Sequence, residues 1–158
     1  MREAGIKLIG PGDITQDFKL QAMGDDAVGL ITMHHYNADL DNPANRRLVA
    51  AWRQEYGANT VPDFMGVQGY DGMAAIAHMV TSLKGKIEAD AAINSLRGWK
   101  YDSPRGPISI DPRTRDIVMN EYVSELVKAG NRLTQKNIAT INAVKDMCKE
   151  LKEGRCKD

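Results

Sequence analysis

Few residues in this sequence have a type and spacing that could do chemistry. His34 and His35 stand side by side, with Asp39 and Asp41 close behind, a set that invites a metal ion. Adjacent residues on an extended segment point to opposite faces, so the two rings are not expected to share one ion; a polar strand end is the plainer reading. His78 falls inside a helical pattern, where an imidazole packs or faces solvent. The run Asp111-Pro112-Arg113-Thr114-Arg115-Asp116 is a charged turn whose acids are wrongly spaced for a calcium loop. Gly10-Pro11-Gly12 lacks the spacing of a dinucleotide-binding turn. No serine stands in a nucleophile elbow, and no Ser-His-Asp, paired-carboxylate or phosphate-loop pattern is present. Neither a catalytic nor a metal site, nor a cofactor, is expected.

One stretch places polar side chains where a ligand could meet them. Val61 to Val80 reads VPDFMGVQGYDGMAAIAHMV. Phe64 to Val67 is short, apolar and opened by a Pro-Asp turn signal, which predicts a strand. Gln68 to Gly72 reads as a tight polar turn. From Asp71 onward, Met73, Ile76, Ala77 and Val80 recur at helical spacing. Such a strand-to-helix corner is where α/β folds hold ligands, and Gln68, Tyr70 and Asp71 would stand there. Capping by Asp71 and packing by Tyr70 is the plainer reading of the same residues.

The other elements follow in order. Ile6 to Ile9 is predicted as a strand, then a short helix capped by Asp13 or Thr15 and running to Met23. Ala27 to Met33 is nearly all apolar and reads as a strand buried on both faces. Asn42-Pro43 opens the clearest helix, with Asn as N-cap, Pro at the first turn, Leu48, Val49, Trp52 and Tyr56 on one face, and Gly57 as the stop. Ala89 to Leu96 is a further helix with Ile93 and Leu96 inward. Strands are then predicted at Trp99–Asp102, Pro107–Ile110, Ile117–Leu126 and Arg132–Thr140, separated by turn-rich breaks. Asn142 to Lys152 reads as a charged helical tail. The first part predicts a parallel sheet with flanking helices, and the antiparallel part is expected to attach outside that sheet.

Composition bounds the function. The 158 residues suit a single domain with a real core. Lys plus Arg and Asp plus Glu are each 21, and a zero net charge argues against general nucleic-acid binding. No apolar run approaches the roughly 20 residues that span a bilayer, and the N-terminus lacks the apolar core of an export signal. Cys148 and Cys156 would lie roughly 12 Å apart on a continuous helix, so a disulfide is not favoured unless Gly154 lets the last turn fold back.

Three strings carry a resemblance to a known family: HHYNADLDNPANRRLVAAWRQEYG, PDFMGVQGYDGMAAI and, most specifically, SPRGPISIDPRTRDIVMNEYV. REAGIKLIGPG and IATINAVKD match the same family's wording at either end. From Arg2 to Asp146 the sequence resembles the C-terminal part of substrate-binding proteins of ABC importers, of the Leu/Ile/Val-type branch. The resemblance implies an α/β fold of the type I periplasmic-binding-protein kind, present in part. In that fold two lobes close on a ligand like a clamshell. Residues 1–33 would belong to the C-terminal lobe, with a hinge crossing near Met33–Tyr36. Residues 34–98 would belong to the N-terminal lobe, 99–141 would return to the C-terminal lobe, and 142–158 would form a charged tail.

It further implies a small-molecule ligand, a branched-chain or related amino acid, bound without chemistry, with another small carboxylate such as an aromatic acid, or a ligand-sensing module, as the alternative. A membrane permease would be the partner and the periplasm the location. Tyr36 at the hinge, with Gln68, Tyr70 and Asp71 at the corner, would touch the ligand. Family members are more than twice as long, and Arg2-Glu3-Ala4-Gly5 resembles the end of a helix. A truncated chain is therefore expected, one that leaves apolar surface exposed and self-associates.

Overall fold

A computed structural model describes residues 5–151. Its strands are β1 (Ile9–Pro11), β2 (Ile31–His34), β3 (Lys100–Ser103), β4 (Gly106–Ile110), β5 (Ile117–Ala129) and β6 (Arg132–Val144). Its α-helices are α1 (Pro43–Tyr56), α2 (Phe64–Ser82), α3 (Ala89–Ser95) and α4 (Met147–Leu151), and three single turns of 3-10 helix lie between Gly12 and Ala27. The helix end read at Arg2-Glu3-Ala4, and Cys156, lie outside the described residues.

β5 is the spine of one six-stranded sheet. Its first residues carry β4, through Ile110 opposite Ile117, and β4 carries β3. Further along, Tyr122 to Glu125 pair antiparallel with His34 to Ile31 of β2, which pairs in parallel with β1. β6 runs antiparallel along the opposite edge of β5. The antiparallel strands therefore continue the sheet of β1 and β2, against the expectation that they attach elsewhere. The reason is the length of β5: thirteen residues reach β4 at one end and β2 at the other.

α1 forms as the sequence dictates: the Asn42 side chain accepts from Asn45 N at 2.8 Å, Pro43 opens the helix, and Gly57 ends it. The predicted strand at Phe64–Val67 does not form. Asp63 is an N-cap, accepting from Gly66 N at 2.8 Å, and α2 runs unbroken from Phe64. Val67 and Asp71, four apart, share its buried face. Gly66 does not break the helix; a Cβ there would lie 3.2 Å from the Trp52 ring, so its lack of a side chain lets α1 approach. The expected turn at Gln68–Gly72 is helix for the same reason.

The predicted helix to Met23 is interrupted. The Thr15 hydroxyl donates to Gly12 O and joins Thr32 and Gln135, taking part in side-chain pairings rather than capping a longer helix. β2 starts only at Ile31, after Gly29 with φ +89°, and Met33 is half-exposed rather than buried. Ile93 of α3 faces outward and Ala92 inward. The tail is strand as far as Val144, with a helix only from Met147, and Cys148 is disulfide-bonded, against expectation. Two apolar cores result. Tyr36, Leu40, Val67 and Tyr122 fill the space under the helices, and Leu20, Leu126 and Leu133 fill that beneath the 3-10 turns.

Candidate functional site

β1 and β2 are parallel, so their carboxyl ends lie together, and the N-terminal turns of α2 stand against them. Five side chains meet there. Asp13 follows β1, His34 ends β2, His35 follows it, and Phe64 and Gln68 come from the first turns of α2. His34 Nε2 lies 2.9 Å from Asp13 Oδ1. Gly12 makes room for this pair: a Cβ there would sit 2.2 Å from His34 Cβ.

The His34 and His35 rings are 4.3 Å apart, and His34 is 4.6 Å from the Phe64 ring. Phe64 meets His35 edge-on at 5.9 Å. The rings do not point to opposite faces, because β2 ends at His34 and the strand alternation stops with it. Gln68 Nε2 lies 3.3 Å from His35 Nε2.

Burial, aided by His34 and Arg105, pushes the His35 imidazole down to about 3, so this ring is neutral at physiological pH. Burial raises the Glu121 carboxyl, opposed by His34 and Arg105. Among the described residues no group of three His, Cys, Asp or Glu side chains is placed to hold a metal ion. What the corner can do is bind: it offers ring faces, an amide and a neutral imidazole.

The four positions named from sequence fall in different places. Gln68 is in the cluster. Tyr36 is interior, 3% exposed, and its hydroxyl donates to Asn45 Oδ1 at 2.9 Å; burial pushes its phenol up. Asp71 is buried and accepts from Arg105 Nε at 2.6 Å and from Ser103 Oγ at 2.9 Å, while its Oδ1 is buried without a partner. Tyr70 is half-exposed on the next turn of α2. It is near Tyr101, whose phenol is pushed up to about 12 by burial first, with Tyr70 adding to the rise. Asp13, His34, His35 and Phe64 are not among the ligand contacts expected from sequence, where the two histidines are weighed only for a metal. The signal that could have found them was the pair of strand ends, Gly-Pro-Gly-Asp and His-His, which parallel neighbours must bring together.

The geometry now meets the comparisons. Residues 1–131 match the family model described as periplasmic binding protein. The chain is 40% identical over 129 residues to Leu/Ile/Val-binding protein homolog 6 of Brucella abortus (strain 2308), covering 82% of this chain and 33% of that protein. It is also similar to the solute binding protein of an ABC transporter from Rhodopseudomonas palustris BisB5, solved in complex with 3,4-dihydroxybenzoic acid. That likeness has a TM-score of 0.87 and 44% identity, over 93% of this chain and 40% of that one. A solute binding protein from Rhodopseudomonas palustris HaA2, in complex with p-hydroxybenzoic acid, gives 0.84 and 32%, over 92% and 40%. The chain thus spans about a third of the length of the curated relatives it matches. With most of its residues inside the family model and its fold shared with solved solute-binding proteins, the chain belongs to the periplasmic binding protein family.

Proposed function

We propose that this chain supplies part of the ligand cleft, from both of its sides, in the solute-binding component of an ABC importer, and that its ligand is a small aromatic acid. The observation that carries this is the ring-lined corner of His34, His35 and Phe64, with Gln68 beside it. Flat ring faces suit an aromatic solute. The two relatives solved with hydroxylated benzoic acids support the same class. Branched-chain amino acids are the second reading, favoured by the name of the Brucella relative. Binding proceeds without chemistry, by closure of two lobes that a ligand stabilises.

In this proposal β1, β2, the second half of β5 and β6 lie in one lobe, and the helices in the other. Asn42 Nδ2 donates to Pro104 O, and Arg105 pairs with Asp71. These bonds support keeping the β3–β4 turn with the helices, so that the return crossing falls within β5. A permease partner and a periplasmic location go with the family. Among the described residues no helix is long and apolar enough to cross a membrane. The exposed Met65, Met73, Ile76 and Val80 of α2 support self-association of the chain purified alone.

Since most of a relative's length is not in this chain, binding here is expected in the millimolar range. Saturation-transfer NMR tests it with 4-hydroxybenzoate, 3,4-dihydroxybenzoate and leucine. Transfer to the aromatic acids, displaced by excess of either one, is the expected result. Transfer to leucine alone favours the second reading, and transfer to none of the three contradicts the proposal.

A further inference from the structure

Among the described residues β1 has one neighbour: it pairs with β2 and ends the sheet. Ile9 lies opposite Ile31, and Ile31 N–H donates to Leu8 O at 3.0 Å. In a parallel ladder that register turns the N–H and C=O of Ile9 away from β2. Among the described residues no side chain bonds to the backbone of Lys7 or Ile9. The edge of β6 differs, since Gln21 and Asp39 bond to it. At β1 the pairing has no bulge, proline comes only at the last residue, and the charge of Lys7 is the one guard against an added strand.

Both faces of the strand are bare as well. Leu8 and Ile9 point to opposite faces and are 47% and 78% exposed. Ile6 before them, and Ile14 and Phe18 after them, are exposed too. Parallel strands are stable where helices cover both of their faces. The occupant of this edge must therefore bring more than a strand. A second copy of this chain does not meet that need, because its own β1 is bare on the same two faces. A strand with a helix on each face does. This chain spans 33% of the Brucella relative and 40% of the BisB5 solute binding protein, so most of such a protein's length can supply one.

We propose that the open edge of β1 docks a parallel, helix-flanked strand from the portion of a periplasmic binding protein that lies outside the match. A parallel neighbour ends on the same side as β1, so the loop after it stands beside Asp13 and extends the corner. The docking does not depend on the ligand class proposed above.

Co-expression tests this, with the whole 158-residue chain and the unmatched portion of the BisB5 protein as a second, tagged polypeptide. The tag is expected to retain this chain in an equimolar complex. Hydrogen exchange at the Lys7 and Ile9 amides should slow roughly tenfold or more relative to the chain alone. Ile9→Pro removes an outward donor only, since Leu8 and Gly10 face β2, and it should abolish capture. Ile9→Lys leaves the backbone intact and sets a charge on the covered face; it should abolish capture too, and it carries the test if Ile9→Pro does not fold. No capture, capture that these variants retain, or capture without slower exchange at Lys7 and Ile9 overturns the inference. So does protection of these two amides in the chain alone, which would make a second copy the occupant. A docked complex that binds neither the aromatic acids nor leucine leaves this inference standing and removes the proposed function.

Discussion

Asp71 and Arg105 are 5% and 4% exposed, and their bond is the innermost ion pair among the described residues. Both charges have been taken out of water; Ser103 donates to Asp71 Oδ2 and Arg105 to Met119 Sδ, while Asp71 Oδ1 stays without a partner. Asp71→Ala would strand the guanidinium, and a loss of about 3–5 kcal/mol is expected in urea unfolding. Asp71→Leu combined with Arg105→Met should recover most of that loss, since an apolar pair replaces a desolvated one. Asp17 makes the opposite case. It accepts from Ala38 N and Gln135 Nε2, faces Asp39, and borders a cavity of about 50 Å³ that Arg53 and Arg132 also line. Burial raises its carboxyl to about 7, opposed by the Ala38 bond and aided by Asp39. The fold therefore holds a proton that the unfolded chain releases near 4. Stability from this group is full below about pH 4 and falls as pH rises towards 7. Thermal melts in that window should show the decline, and Asp17→Asn should flatten it and raise the melting temperature at pH 8. An unchanged slope in the variant would remove Asp17 as its source.

At the scale of elements, helix ends were legible and helix interiors were not. Asn42, Pro43 and Gly57 announce α1 from both sides because capping is local chemistry, needing no partner beyond the next turn. Asn42 has a second task, donating to Pro104 O in the β3–β4 turn. Asn42→Ala should thus cost about 1–2 kcal/mol in unfolding, above the value for an exposed cap. Asn42→Asp keeps the cap but not the donor and should fall between the two. The start of α2 is ambiguous in sequence because Pro62-Asp63 precedes both turns and helices, and three glycines resemble a break. Only the packing of Val67, Asp71 and the Trp52 ring resolves that ambiguity. The strands from Lys100 onward were legible because turn residues bracket each one. Their joining to β2 depends on pairing over about ninety residues, which no local pattern encodes. The edge of β6 shows the same remoteness. Gln21 bonds Leu133 N and O, and Asp39 accepts from Gln135 N, so side chains from distant segments cover an edge that another chain could pair.

For the whole molecule, the resemblance read from SPRGPISIDPRTRDI and its companion strings gave the family, which the comparisons show. The site was less legible. Only Gln68 of the four expected positions lies in the strand-end cluster, because α2 already begins at Phe64 and the expected corner at Gln68–Gly72 is helix. The exposed apolar residues of α2, Met65, Met73, Ile76 and Val80, lie on the face opposite Val67 and Asp71. A helix so divided is built to be covered on both sides. That fits a chain spanning a third of its relatives' length, and light scattering should show association that Met73→Glu reduces. Whether the corner of β1, β2 and α2 is a ligand wall is best tested by an amide-shift map of the chain with 4-hydroxybenzoate. The largest changes are expected at Asp13, His34, His35, Phe64 and Gln68. Changes concentrated instead on β6 and α4, with these five silent, would contradict the assignment of the cleft.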